Sequence, residues 1–306
     1  MPHPSFPSKK ERHRRFGSVP PTPGSKATRK EDMTDLQNAL DDYLFDIQSV
    51  GVAAVKHPIL FLSPLAPYEQ MPIATLELTT TLDRSSKGIN MSRLTEQLEM
   101  YRDFDFTSDS GKLGQFARDL AQNMNQRGAT VKLAFPWFYE RTAPESGQTG
   151  LAYCDLYMEM SYEQGIESPF RLTVGLDASV TTLCPCSKEI SEYGAHNQRG
   201  TVHIRTEVDL KQFHENWCQV LLDAAESNAS SMLYPILKRT DEKKVTERAY
   251  ENPRFVEDLA RLVAADLIEC PFARQFTVEC RNEESIHQHN AIARIVWTEE
   301  DQKRRY

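Results

Sequence analysis

An order of elements that occurs twice constrains the fold of this chain more than any other feature. Residues 73–82, IATLELTTTL, alternate apolar and polar positions and are rich in β-branched side chains, which predicts a half-buried strand. Residues 51–62, GVAAVKHPILFL, predict a strand before it, with Pro58 marking an edge or a bulge. Helices are predicted over 92–104 and 112–127, the second stopped by Gly128, and strands over 129–140 and 150–161. The second half repeats the order. Strands are predicted at 170–180 and 200–208, a helix from Asp209 or an earlier residue to about 226, a helix over 254–267, and strands at 272–281 and 290–298. Each half reads β-β-α-α-β-β, with no residue-level identity between them. A further amphipathic helix is predicted over 32–48, where Leu36, Leu40, Leu44 and Ile47 recur at helical spacing and Gly51 follows.

Four antiparallel strands with two helices on one face make an α+β layer. Its edge strands are exposed and need partners. Two such units in one chain can join edge to edge and then close a barrel with other chains. That predicts a homo-oligomer with active sites at chain interfaces. The expected organisation is a basic, disordered tail over 1–31, a first module over 32–162 and a second module over 163–306.

Charge is unevenly divided. Residues 1–30 carry eight Lys or Arg and one acid, a net of +7; against −8 for the whole chain, this leaves −15 on residues 31–306. A body that acidic argues against nucleic-acid binding, which needs a basic surface for phosphates. It leaves room for a nucleotide held in a local basic pocket. No stretch approaches the roughly 18–20 apolar residues of a membrane helix, so no membrane association is expected. No apolar run follows the basic head, so a secretory signal is not expected either. Six cysteines in 306 residues do not make a disulfide scaffold. Reduced thiols and a cytoplasmic location are the expectation.

Four segments carry residues suited to chemistry. In 181–200, TTLCPCSKEISEYGAHNQRG, Cys184, Cys186 and His196 fall in one inter-strand region. Thiolate and imidazole suit a soft or borderline divalent metal, and an incomplete ligand set fits a catalytic site with an open position. Lys188 is placed to lower a thiol pKa. Two ordinary buried thiols, or a structural zinc, would give the same spacing. In 233–258, LYPILKRTDEKKVTERAYENPRFVED, Glu257 opens an apolar helix, where a carboxylate either caps the helix or accepts from a ligand's N–H groups. In 279–293, ECRNEESIHQHNAIA, Glu284, His287 and His289 fall in a turn and are candidates for acid–base work, metal ligation or turn capping. In 85–94, SSKGINMSRL, Ser92 and Arg93 sit where a helix N-terminus would accept a phosphate, or where an ordinary cap would stand.

Together these segments resemble the type IB GTP cyclohydrolases, the prokaryotic branch of GTP cyclohydrolase I. The similarity runs from about residue 35 to 298, and the pair CPCSKEIS…AHNQRG and KRTDEKKVTE is its most specific part. The resemblance implies the tunnelling fold, two modules per chain and a homotetramer. It implies hydrolysis of GTP to formate and 7,8-dihydroneopterin triphosphate, the entry to folate synthesis. It also implies roles: Cys184, His196 and Glu242 as ligands of Zn²⁺ or Mn²⁺; Cys186 as a second active-site thiol; Glu257 as the guanine anchor; Glu284 and His287 as an acid–base pair. Arg93 and Lys188 are the basic groups expected to meet the triphosphate. Two other functions stay open on the sequence. One is a nitrile reductase of the same fold, and the other is a non-catalytic pterin- or metal-binding protein.

Overall fold

The computed structural model describes residues 6–16, 24, 26–33, 36–37, 39–102, 105, 110–298 and 300–301. One antiparallel sheet dominates it. In spatial order its long strands are β1 (Ile47–Pro58), β4 (Ile73–Leu82), β5 (Gly128–Thr142), β6 (Thr149–Glu163), β7 (Phe170–Leu183), β8 (Asn197–Val208), β10 (Ala273–Asn282) and β11 (Ala291–Trp297). The short β9 (Ser231–Met232) pairs with β7, and β2 (Phe61–Leu62) pairs with β3 (Glu69–Gln70) in a separate hairpin. The two halves meet where β6 pairs with β7, from Asp155 opposite Asp177 to Tyr162 opposite Phe170.

Period-two alternation decides which face is covered. Leu76, Leu78, Val131, Leu133, Met158, Met160, Val174, Leu176, Val202 and Ile204 all project to one face and are buried. In the first half α2 (Met91–Met100) and α3 (Ser110–Asn123) lie over them, supplying Leu94, Leu98, Leu113, Phe116 and Leu120. In the second half α5 (Trp217–Ser227) covers β7, and α7 (Val256–Glu269) covers β10 and β11 with Leu259, Val263 and Leu267. A full side chain of this type contributes roughly 1.5–3 kcal/mol on burial, so the helical face holds the layers together. The opposite face is polar. There Lys132 pairs with Glu77 at 2.9 Å, and Asp177 takes both guanidinium nitrogens of Arg205.

The element order β-β-α-α-β-β is present in both halves, with additions. The second half inserts α4 (Pro185–Ile190) after β7 and α6 (Arg239–Glu251) before α7. Within the basic head, which was expected to lack fixed structure, Lys9–Phe16 form a short helix, α1.

Three sequence expectations are corrected. The helix over 32–48 does not form among its described residues; 34, 35 and 38 lie outside them. Acidic side chains take backbone donors of the segment instead: Asp41 accepts from the Asp42 N–H at 2.7 Å and Asp42 from the Leu44 N–H at 2.9 Å. The segment then runs beside the turn at 83–88, with the Tyr43 N–H donating to the Arg84 carbonyl at 2.8 Å and Leu44 at a φ of 76°. Leu40, the centre of the expected apolar stripe, is 80% exposed. Second, the helix expected from Asp209 begins only at Trp217, because the Asp209 carboxylate accepts from the Lys211 N–H at 2.9 Å and holds a turn. Third, the strand expected to run through Pro58 ends on it, opposite Ile73.

Candidate active site

Register sorts the turns between two ends of the sheet. Thr142 and Thr149, Leu183 and Asn197, and Asn282 and Ala291 are paired at one end. Leu82, Gly128 and Glu163, and Val208 lie at the other. The segments rich in candidate residues, 184–196 and 283–290, both leave the first end.

Local hydrogen bonds close the cysteine segment. Cys184 ends β7 in extended conformation and caps α4, its Sγ accepting from the Ser187 N–H at 3.5 Å. Ser187 Oγ donates to the Cys184 carbonyl and accepts from the His196 N–H, both at 3.1 Å. The Cys184 N–H donates to the His196 carbonyl at 3.1 Å. Residues twelve positions apart are thereby brought side by side. His196 Nδ1 meets Gln198 Oε1 at 2.9 Å, and Gln198 Nε2 donates to the fully buried Thr182 Oγ1 at 3.1 Å. With Nδ1–H donating, Nε2 keeps its lone pair free.

A second strut places α7. The Arg254 N–H donates to the Leu183 carbonyl at 2.9 Å, and Arg254 Nε donates to the Asn228 carbonyl at 3.0 Å. This fixes Phe255 and Glu257, in the first turn of α7, against the end of β7. The turn from β10 to β11 completes the wall, and the His287 and His289 rings stack there with centroids 4.9 Å apart. The Glu283 N–H anchors that turn to the Arg199 carbonyl at 2.9 Å.

These walls enclose a cavity of about 300 Å³. It brings together Cys184, His196, Glu257, Glu284 and His287. The other candidates lie elsewhere in the chain. Cys186 is exposed on α4 and Glu242 is exposed in the first turn of α6. Lys188 Nζ donates to the Tyr250 carbonyl at 2.6 Å and sits 4.3 Å from the centre of the Tyr250 ring, so its charge already ties α4 to α6. Arg93 opens α2 after β4 has reached the far end of the sheet, roughly 30 Å of strand away at about 3.3 Å per residue.

The thiols sort by burial. All six cysteines are free; Cys154, Cys218, Cys270 and Cys280 are buried, and burial pushes the Cys218 and Cys280 thiols up to about 12. Among the described residues no three His, Cys, Asp or Glu side chains converge as a metal cage. Cys184 and His196 nonetheless form a two-donor set of the right chemistry: a thiol beside an imidazole whose Nε2 is left free by the Gln198 contact. That pair fits a divalent metal that takes its remaining ligands from elsewhere.

Sequence reading missed Gln198, Arg254 and Asn282 as cavity walls, while His289, a candidate from its turn, does line the cavity. Gln198 was within reach of it, since a strand puts His196-plus-two on the same face. Arg254 and Asn282 had no signal, because only the packing of α7 and the β8–β10 pairing brings them to the cavity.

The sheet and its helical cover define a tunnelling-fold protein, and one sheet end carries a cavity lined by a thiol, imidazoles and carboxylates. A uricase from Bacillus fastidious shares the architecture at a TM-score of 0.51 and 7% identity, over 84% of this chain and 95% of that one. By sequence, the family model described as type I GTP cyclohydrolase folE2 matches residues 33–293, and the chain belongs to that family. It is 54% identical to the GTP cyclohydrolase FolE2 of Halalkalibacterium halodurans over 96% of this chain and 98% of that protein. It is 51% identical to the FolE2 of Bacillus subtilis, over 98% and 99% of the two chains.

Proposed function

We propose that this chain is a GTP cyclohydrolase I, converting GTP and water to formate and 7,8-dihydroneopterin triphosphate at the head of folate synthesis. The observation that carries the reading, beside family membership, is the convergence of Cys184, His196, Glu257, Glu284 and His287 on one cavity. Nothing in the structure favours a nitrile reductase or a pure binding protein.

The residues divide the work as follows. Glu257 accepts from the guanine N1–H and exocyclic amine, a charge-assisted pair that fixes the purine edge. Cys184 and His196 would hold a divalent cation, Zn²⁺ or Mn²⁺, with Glu242 as the third ligand. Bound there, the cation would supply Lewis acidity for hydration at C8. His287 delivers a proton to the departing ring nitrogen and later to the ribose oxygen, with Glu284 orienting the imidazole. Cys186, exposed on α4 two residues from Cys184, would serve as a second active-site thiol. Net consumption is one water: two enter in opening the imidazole ring and releasing formate, and one leaves as the pteridine closes.

Arg93 can serve the triphosphate only from another copy, because its own chain places it at the opposite sheet end. Among the described residues β1 and β11 are the free edges of the sheet, and a homotetramer closed through them would assemble shared sites. Among the described residues no helix is long and apolar enough to cross a membrane. Six free thiols fit a reducing, cytoplasmic setting.

The test is GTP turnover by metal-stripped protein, with and without added Zn²⁺ or Mn²⁺, following formate and pterin fluorescence. Metal-restored formate together with a pterin is the expected result. Cation binding at Cys184 without turnover by either metal would overturn the reading.

A further inference from the structure

Asn282 ends β10 and lines the cavity beside Glu257 and Glu284. It is 2% exposed, and its Oδ1 is buried with no hydrogen-bond partner among the described residues. An unsatisfied amide in a wall is costly, and native proteins keep few of them. Here the neighbouring strand is shaped to hold it. Gly200 lies opposite Asn282 across the β8–β10 pair, and a Cβ there would come within 3.0 Å of Asn282 Oδ1 and 3.3 Å of Thr182 Cγ2. Gly200 has no need of its conformational freedom; its missing side chain makes room for the amide. With Oδ1 buried against Gly200, Nδ2 is the amide's remaining polar atom for the cavity that Asn282 lines.

Guanine bound through Glu257 by its N1–H and exocyclic amine would turn its opposite, imidazole edge away from α7, and the cavity's other walls carry Asn282, Glu284 and His287. The group on that edge that an amide N–H can meet is the N7 lone pair. We propose that Asn282 donates from Nδ2 to N7 of the bound purine, selecting for N7 and drawing electron density from C8, the carbon that water attacks. This rests on the cyclohydrolase reading above and adds a substrate contact to it.

The experiment uses metal-loaded full-length protein, with GTP as substrate and 7-deazaguanosine triphosphate, which has carbon in place of N7, as competing ligand. One neutral hydrogen bond is lost, so Asn282→Ala is expected to lower kcat/KM for GTP about 3- to 10-fold. Its inhibition constant for the 7-deaza compound should equal that of the unaltered protein, since that ligand has nothing for Nδ2 to donate to. Asn282→Asp, of the same shape but without the donor, should depress GTP turnover as well. Thermal midpoint and metal content of Asn282→Ala should stay at or above those of the parent, because no intramolecular bond is removed. An unchanged kcat/KM, or an equal loss of affinity for both ligands, overturns the assignment. If the unaltered, metal-loaded protein neither turns over GTP nor binds the 7-deaza compound, the cyclohydrolase reading fails and this contact fails with it.

Discussion

Two side chains removed from direct ligation show how this site is prepared. Gln198 faces His196 Nδ1 with its carbonyl, and its amide nitrogen donates to Thr182 Oγ1. With Nδ1–H donating to that carbonyl, the imidazole offers Nε2. Replacing Gln198 with Leu is expected to weaken Zn²⁺ affinity by roughly 10- to 100-fold, read by competition with a chelator, while the fold persists. Unchanged affinity would show that Gln198 plays no part in orienting the ring. Lys188 carries the opposite lesson. A lysine two residues from a cysteine looks like an activating charge or a phosphate contact in sequence, yet its ammonium is spent on the Tyr250 carbonyl and ring. What a charged side chain does depends on the acceptor that the fold sets beside it, and a linear sequence does not list its acceptors.

At the scale of elements, the region near the β6–β7 seam is the most instructive. Near the site end the β6–β7 ladder stops at Asp155 and Asp177, and β9 pairs with β7 instead. The helical side there holds a buried ion pair, Arg141 on β5 with Glu226 on α5 at 2.6 Å, and Tyr139 also donates to Glu226. Burial raises the Glu226 carboxyl even though Arg141 pulls it down. Removing the acid would leave a guanidinium buried alone. Glu226→Ala should therefore destabilise the fold by about 3–5 kcal/mol in denaturant unfolding; a change below about 1 kcal/mol would show that water already solvates the pair. On the polar face, burial would raise the Asp177 carboxyl, but hydrogen bonds from His203 and Arg205 more than offset it, and the group lies below the usual carboxylate range. A depressed folded pKa means stability that is present above the ordinary carboxyl pKa and lost as pH falls through the folded value. Asp177→Asn should flatten the acid side of the stability–pH curve relative to the parent, and identical curves would remove Asp177 from the account. Elements also show where pattern reading succeeds. The strand 73–82 was legible to the residue, because alternation and β-branching coincide with burial on one face. The helix over 32–48 was not, since local Asp side chains outcompeted a helical stripe that has no sheet to pack on.

Across the whole molecule, β1 and β11 are the outer strands of the sheet among the described residues, and the candidate residues are split between its ends. Arg93 lies at one end, and the cavity with Cys184 and Glu257 lies at the other. A chain that must combine them needs a second copy. Activity is therefore expected to follow assembly: sedimentation should show a species larger than the 35.0 kDa chain, and specific activity should fall on dilution as that species dissociates. A monomer with full turnover would exclude shared sites. The doubled β-β-α-α-β-β order, the apolar face of each strand and the residue types at the cavity can be read from the amino acids alone. These are local properties, written in periodicity and in side-chain chemistry. Which of those residues meet depends on packing between elements far apart in the chain. The pairing of β8 with β10 sets Asn282 against Gly200 and into the cavity wall, and the docking of α7 on β10 and β11 brings Glu257 to Cys184. The same register carries Arg93 away to the far end of the sheet. Contacts between strands distant in sequence are fixed by the packing of the whole layer, and no window of residues contains them.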